Sequence, residues 1–179
     1  MTARQAEAPT TTRTLLALGA AAGPLYVIVG LAQILTREGF DWTRHALSLM
    51  SNGAWGWVQV AIGAAFFSAD PALGFPPGTS DGPPAVITTH GLLHFVSGGI
   101  GFLGLIAACF VLAARFRGED RSSWMWFSVA TGVLFFAGFA GIASGAQSRT
   151  LVVAFYLAVL LAWTWLSALF RAALVRAER

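Results

Sequence analysis

Residues 85–114 read AVITTHGLLHFVSGGIGFLGLIAACFVLAA, a stretch without a single Asp, Glu, Lys or Arg. As an α-helix it extends about 45 Å, against a hydrocarbon thickness of about 30 Å. So long an uncharged helix belongs in a bilayer, with its surplus length tilted or protruding. Counting about 20 residues back from Arg115 reaches His94 or Phe95, which sets His90 and His94 in the headgroup layer at the far end.

The flanking sequence repeats the pattern. Its 11 basic and 8 acidic residues are clumped, leaving uncharged windows at 14–36, 45–69, 122–148 and 150–170 as well. The chain is 56% hydrophobic and 11% charged, where an ordinary soluble domain carries about 25% charged residues, so a soluble enzyme is excluded. All the basic residues are arginines, and most flank the apolar windows, where they orient helices rather than grip nucleic acid. The one cysteine, Cys109, lies inside a window, which removes disulfide and cysteine-metal chemistry.

Residues 1–13 read as a disordered tail, 14–170 as a single helical membrane domain and 171–179 as a basic tail. The expected spans are 14–35, the helix from about residue 85 to 114, 124–144 and 151–170. The window 54–69 covers only about 24 Å as a helix, short for a span. If it crossed, Arg115, Arg117 and Arg121 would land outside, against the positive-inside rule. The expectation is therefore an all-α, polytopic protein of the cell membrane. It has four transmembrane helices plus a short interfacial or re-entrant segment, both termini being cytoplasmic; five spans are the alternative. Residues 37–50 place Arg37, Asp41, Arg44 and Ser48 on one helical stripe and Phe40, Leu47 and Met50 on another, predicting an interfacial helix with ion pairs of Asp41 to Arg37 and Arg44. Residues 70–84 hold five of the seven prolines and must lie outside the hydrocarbon as a loop.

Gly99, Gly101 and Gly104 spell G-x-G-x-x-G, but inside an apolar helix with no preceding strand, so helix packing is expected there rather than dinucleotide binding. Packing is also the expected job of Gly19 with Gly23 and of Ala137, Gly141 and Gly145. His90 and His94 are spaced i, i+4, the geometry that lets two imidazoles share a divalent metal such as zinc; His45 or Asp70 is the candidate third ligand, with Asp41 and Asp81 in reserve. Arg44 suits a phosphate or carboxylate clamp, and Gln147, Ser148 and Arg149 fall in the turn that faces the same polar region.

The segments Gly39-Phe40-Asp41-Trp42-Thr43-Arg44-His45-Ala46-Leu47-Ser48-Leu49, Asn52-Gly53 and Gly56-Trp57-Val58-Gln59 resemble the domain-of-unknown-function 998 family of prokaryotic integral membrane proteins. So do Ala69-Asp70-Pro71, Gly74-Phe75-Pro76 and His90-Gly91-Leu92-Leu93-His94. The resemblance runs from about residue 15 to 168. It implies a helical membrane protein with no settled activity, here a short form lacking two central helices. The functional expectation is a non-enzymatic component that binds a lipid headgroup, small ligand or partner protein, with a homo-oligomer also open. The expected binding residues are Asp41, Arg44, His45, Ser48 and Asp70. The alternative is a metal-assisted lipid hydrolase built on His90 and His94.

Overall fold

The computed structural model describes residues 8–62, 67–145 and 148–178. In chain order its helices are α1 (Thr10–Thr36), a 3-10 turn (Leu47–Ser51), α2 (Trp57–Ala61), α3 (Thr89–Gly118), α4 (Ser122–Ala143) and α5 (Arg149–Ala177). Helices α1, α3, α4 and α5 are long and apolar enough to cross a membrane, and they coincide with the four expected spans. Helix α1 begins at Thr10 and α5 continues to Ala177, so part of each expected tail is helical. Between Asn52 and Asp70 the described residues hold only the five-residue α2, and residues 63–66 lie outside those described.

Packing runs in the order α1, α5, α4, α3. Each neighbouring pair is antiparallel. A Cβ on Gly19 would meet the Phe170 ring at 2.6 Å, while one on Gly23 would meet Ser167 Oγ and, at 2.9 Å, the Trp163 carbonyl oxygen. Between α4 and α5, Gly138 faces Phe155 and Ala158, and Gly141 faces Leu151. Between α3 and α4, Gly132 faces Cys109 and Phe110. Hydrocarbon offers helices no hydrophobic gain for associating, so close contact of this kind must supply the attraction. Phe102 of α3 adds to it, with ring centroids 5.2 Å from Phe135 and Phe139 of α4 and 5.8 Å from Phe155 of α5. Deeper in the bundle the buried Trp165 donates its indole N–H to Ser128 Oγ at 2.9 Å, so a polar group in an apolar layer is satisfied across the α4–α5 contact.

The packing expected of Gly99, Gly101 and Gly104 is not found. A Cβ at any of the three meets nothing within 4 Å. Gly101 and Gly104 are exposed on the lipid-facing side of α3, because neither α4 nor α5 reaches that face.

Residues 37–62 and 67–88 form a cap over one end of the bundle. Its own small core comprises Leu49, Ala69, Ala72 and Phe75, with Phe40 and Leu73 against it. The interfacial helix expected over 37–50 is absent, and its residues form turns followed by the 3-10 turn. Asp41 explains why. Its carboxylate Oδ1 accepts from the Thr43 N–H at 2.9 Å and the Thr43 hydroxyl at 2.6 Å, a local turn that competes with helical hydrogen bonding. Helix α3 starts at Thr89 rather than near residue 85, since Thr88 is its extended N-cap and its hydroxyl accepts from the Gly91 N–H at 3.0 Å.

Replacing Gly23 by Ala forces a methyl against the Trp163 carbonyl oxygen, a backbone atom that cannot step aside. Thermal unfolding in detergent is expected to show a loss of about 1–3 kcal/mol. Gly101→Ala, which meets open space, is expected to be neutral or mildly stabilising.

Candidate functional site

His45 is 2% exposed and both of its ring nitrogens are engaged by backbone. Nδ1 accepts from the Asp41 N–H at 3.0 Å, which fixes the tautomer, so Nε2–H donates to the Leu73 carbonyl at 2.9 Å. The ring thereby ties the 41–45 turn to the 72–75 turn, and Phe40 and Phe75 pack beside it. The His45 carbonyl in turn accepts from the Tyr156 hydroxyl at 3.0 Å, linking the same turn to α5.

Asp70, 7% exposed, joins the cap to α3. Its Oδ2 accepts from the Thr88 N–H at 3.0 Å and its Oδ1 from the Thr88 hydroxyl at 2.5 Å. The Thr88 hydroxyl then accepts from Gly91, so the carboxylate completes the helix cap and lies at the positive end of the helix dipole. Gly91 has to be glycine, because a Cβ there would collide with the Asp70 carboxylate. One turn away, Ser51 Oγ donates to the Ser48 carbonyl at 2.6 Å and accepts from the Ala69 N–H at 2.9 Å. Ser48 thus contributes its carbonyl to the cap, and buried Gln59 of α2 contacts Met50 Sδ at 3.5 Å.

At the join of α1 and the cap stands Arg37. The ion pair with Asp41 expected on a helix does not form. Instead Nη2 donates to the Asn52 carbonyl, and the guanidinium lies over the Phe75 ring, 5.4 Å from its centroid. Burial lowers its pKa from the ordinary arginine value, though a guanidinium stays charged. No carboxylate among the described residues pairs with it. Among the described residues, the buried side-chain atoms without a hydrogen-bond partner include Arg37 Nη1, Nδ2 of Asn52, whose carbonyl Arg37 contacts, and both amide atoms of Gln33. Gln33 is 6% and Asn52 9% exposed. Gln33 sits one helical turn before Arg37, whose N–H bonds its carbonyl at 2.9 Å. A Cβ on the neighbouring buried Gly30 would meet nothing within 4 Å, so there is room on this face. Gln33 is the one amide side chain in the first apolar window, a signal present in the sequence, whereas Asn52 stood out there only within the family resemblance.

The outer rim carries charge pairs between distant segments. Asp41 meets Arg149 Nη2 at 3.6 Å, while Arg149 Nη1 donates to Thr43 Oγ1 at 3.1 Å. The Thr43 hydroxyl and N–H, reinforced by Arg149, hold the Asp41 carboxyl below its usual pKa. Arg44 pairs with Asp81 at 3.8 Å rather than with Asp41, and both side chains face solvent, at 38% and 87% exposure. Gln147 lies outside the described residues.

His90 and His94 share a face at the start of α3, as their spacing predicts. His90 is exposed and stands edge-on to Phe67, 6.2 Å between centroids. His94 Nδ1 donates to the Phe67 carbonyl at 2.7 Å, leaving the Nε2 lone pair as the acceptor. A metal would need further ligands, and among the described residues no group of three His, Cys, Asp or Glu side chains is close enough to hold one. His45 and Asp70, the expected third ligands, have their polar atoms engaged within the cap as described.

Four apolar antiparallel helices under a hydrogen-bonded polar cap define a multi-pass helical membrane protein. Residues 60–172 match the family described as protein of unknown function (DUF998), and the chain belongs to that family. No curated protein and no solved structure matches it.

Removing the Asp70 carboxylate by Asp70→Ala should loosen the first turn of α3. Hydrogen exchange at the Gly91 amide is expected to accelerate, with a stability loss of about 1–2 kcal/mol. Because the Asp41 pKa is lowered in the folded state, its stabilisation is complete above its unfolded value of about 3.9 and is lost as pH falls through the lower folded value. Wild type should therefore unfold at a higher temperature than Asp41→Asn at pH 7, and the difference should vanish in strong acid.

Proposed function

We propose that this protein is a non-enzymatic component of the cell membrane that binds an anionic group at its cap, either the phosphate of a lipid headgroup or a small carboxylate or phosphate ligand. The unpartnered donors gathered at Arg37 carry the reading. Buried polar atoms in folded proteins are nearly always hydrogen-bonded, so several orphans next to a guanidinium with no carboxylate partner among the described residues mark a place where an acceptor belongs. Arg37 Nη1–H, the Asn52 amide and the Gln33 amide suit the oxygens of such an anion, because a charged donor and neutral amides together satisfy its lone pairs. Arg44 belongs to the outer rim of the same cap, where its positive charge favours the approach of an anion, while Asp41 closes the Thr43 turn and Ser48 anchors Ser51 through its carbonyl. His45 and Asp70 are positioning residues that hold the two turns and the start of α3.

Sidedness follows from charge. Arg13, Arg115, Arg117, Arg121, Arg171 and Arg176 lie at the end of the bundle away from the cap, against Arg37, Arg44 and Arg149 at the cap end. The positive-inside rule then puts both termini in the cytoplasm and the cap on the outer surface.

The test uses purified full-length protein in dodecylmaltoside, titrated separately with inorganic phosphate, acetate and dihexanoyl phosphatidic acid while thermal unfolding is followed. A ligand of the folded state raises the midpoint by mass action. Wild type should be stabilised by at least one probe, Arg37→Gln should lose the shift, and Arg37→Lys should keep part of it. A response to phosphate assigns a free anion, and a response to the lipid alone assigns a headgroup. An equal shift in wild type and Arg37→Gln, or none in wild type with any probe, would overturn the reading.

A further inference from the structure

At the opposite end of the bundle the helices part. Phe102 and Phe155 hold α3 against α5 in the cap-side half, but beyond that contact a groove of about 400 Å³ opens between the two helices, with Leu16 of α1 at its edge. Its walls are apolar. Leu105, Ala108 and Leu112 of α3 face Leu166 and Leu169 of α5. At its mouth stand three arginines, Arg115, Arg121 and Arg176.

We infer that this groove holds one acyl chain of an anionic phospholipid of the adjoining leaflet, with its headgroup phosphate on the arginines. Length supports the assignment. From Leu105 to Arg115 along α3 the groove runs about 15 Å, half of a hydrocarbon core of about 30 Å and so the depth of one leaflet. Charge supports it too. Among the described residues the one carboxylate paired with these arginines is Glu119, at 2.7 Å from Arg115 and 3.3 Å from Arg121. One acid against three arginines leaves the mouth positive. The Glu119 pairs are solvent-exposed and therefore weak, so a phosphodiester competes for the same guanidinium groups. Arg121 is already positioned by its contacts over the Phe116 and Trp124 rings, at 4.7 and 5.4 Å. Arg176, exposed in the last turn of α5, closes the mouth from the other side. An apolar slot without the arginines would accept any lipid chain, and arginines without the slot would attract anionic lipid only as a diffuse surface layer. Together they select one lipid class at one place.

Native mass spectrometry of the full chain, released from micelles containing equal phosphatidylglycerol and phosphatidylcholine, tests this. Wild type is expected to retain one phosphatidylglycerol in clear preference to phosphatidylcholine. Neutralising a mouth arginine should cost about fivefold in that preference, so Arg115→Gln with Arg176→Gln should largely abolish it. Ala108→Trp, which fills the slot, should reduce retention of both lipids. Arg171→Gln, whose side chain lines a different surface between α1 and α5, should change nothing, and neither should Arg37→Gln at the cap, which separates this site from the one proposed above. Equal retention of the two lipids by wild type, or unchanged preference in the double arginine variant while circular dichroism shows it folded, would overturn the inference. If Ala108→Trp retains phosphatidylglycerol as wild type does, the lipid lies elsewhere and the inference fails.

Discussion

A neutral imidazole with each nitrogen committed to a different stretch of backbone is the constraint on which the cap depends. In hydrocarbon a chain satisfies its peptide groups by being helical, and where it leaves the helix at a membrane surface it must find other partners. The described residues of the cap meet that demand largely through side chains rather than regular structure. His45 serves the Asp41 N–H and the Leu73 carbonyl, Asp70 serves the start of α3, and Ser51 bridges Ser48 and Ala69. The polar residues that look most like a reactive centre are largely the ones that hold the irregular backbone together. This is the physical reason the cap can be rich in His, Asp and Ser among apolar helices without those residues converging on a common point.

How far the sequence could be read follows from the same contrast. Apolar windows are a long-range signal that survives local detail, and the four spans were legible to within a few residues because nothing competes with a helix in lipid. The stretch 37–50 misled because helical periodicity was matched by chance. Asp41 and Thr43 close a turn through their side chains, and the partners of Asp41 and Arg44 turn out to be Arg149 and Asp81, far along the chain. No spacing rule on one sequence reveals such pairs. The cap itself could be read from the sequence, in that Asp41, Arg44, His45 and Asp70 all lie in it. Gln33 is legible as an amide placed in an otherwise apolar window, whereas the lack of a carboxylate partner for Arg37 among the described residues needed the three-dimensional arrangement. The glycines of residues 99–104 show the converse. Their spacing suggested packing, yet the face that carries them has no neighbour within the chain.

The two ends of the bundle differ in kind. One is covered by a cross-linked cap in which charge is paired across distant segments and, among the described residues, the Arg37 guanidinium has no carboxylate partner. The other is a short α3–α4 turn and two helix ends, basic and open, with apolar walls running inward from it. A bilayer presents phosphates at both surfaces, and the two ends offer them different surroundings: enclosed donors at the cap, a slot rimmed by arginines at the other end.

The order α1, α5, α4, α3 means that the first helix finds its packing partner only in the last. While the ribosome is still adding the C-terminal residues, α1 has no surface within the chain on which to settle. Helices α3, α4 and α5 form an antiparallel series that can assemble as each hairpin emerges, whereas α1 must wait in the lipid, tethered by the cap segment. Biogenesis of this protein is thus a matter of retaining its first span until the last arrives, because the α1 face that carries Gly19 and Gly23 is covered by α5.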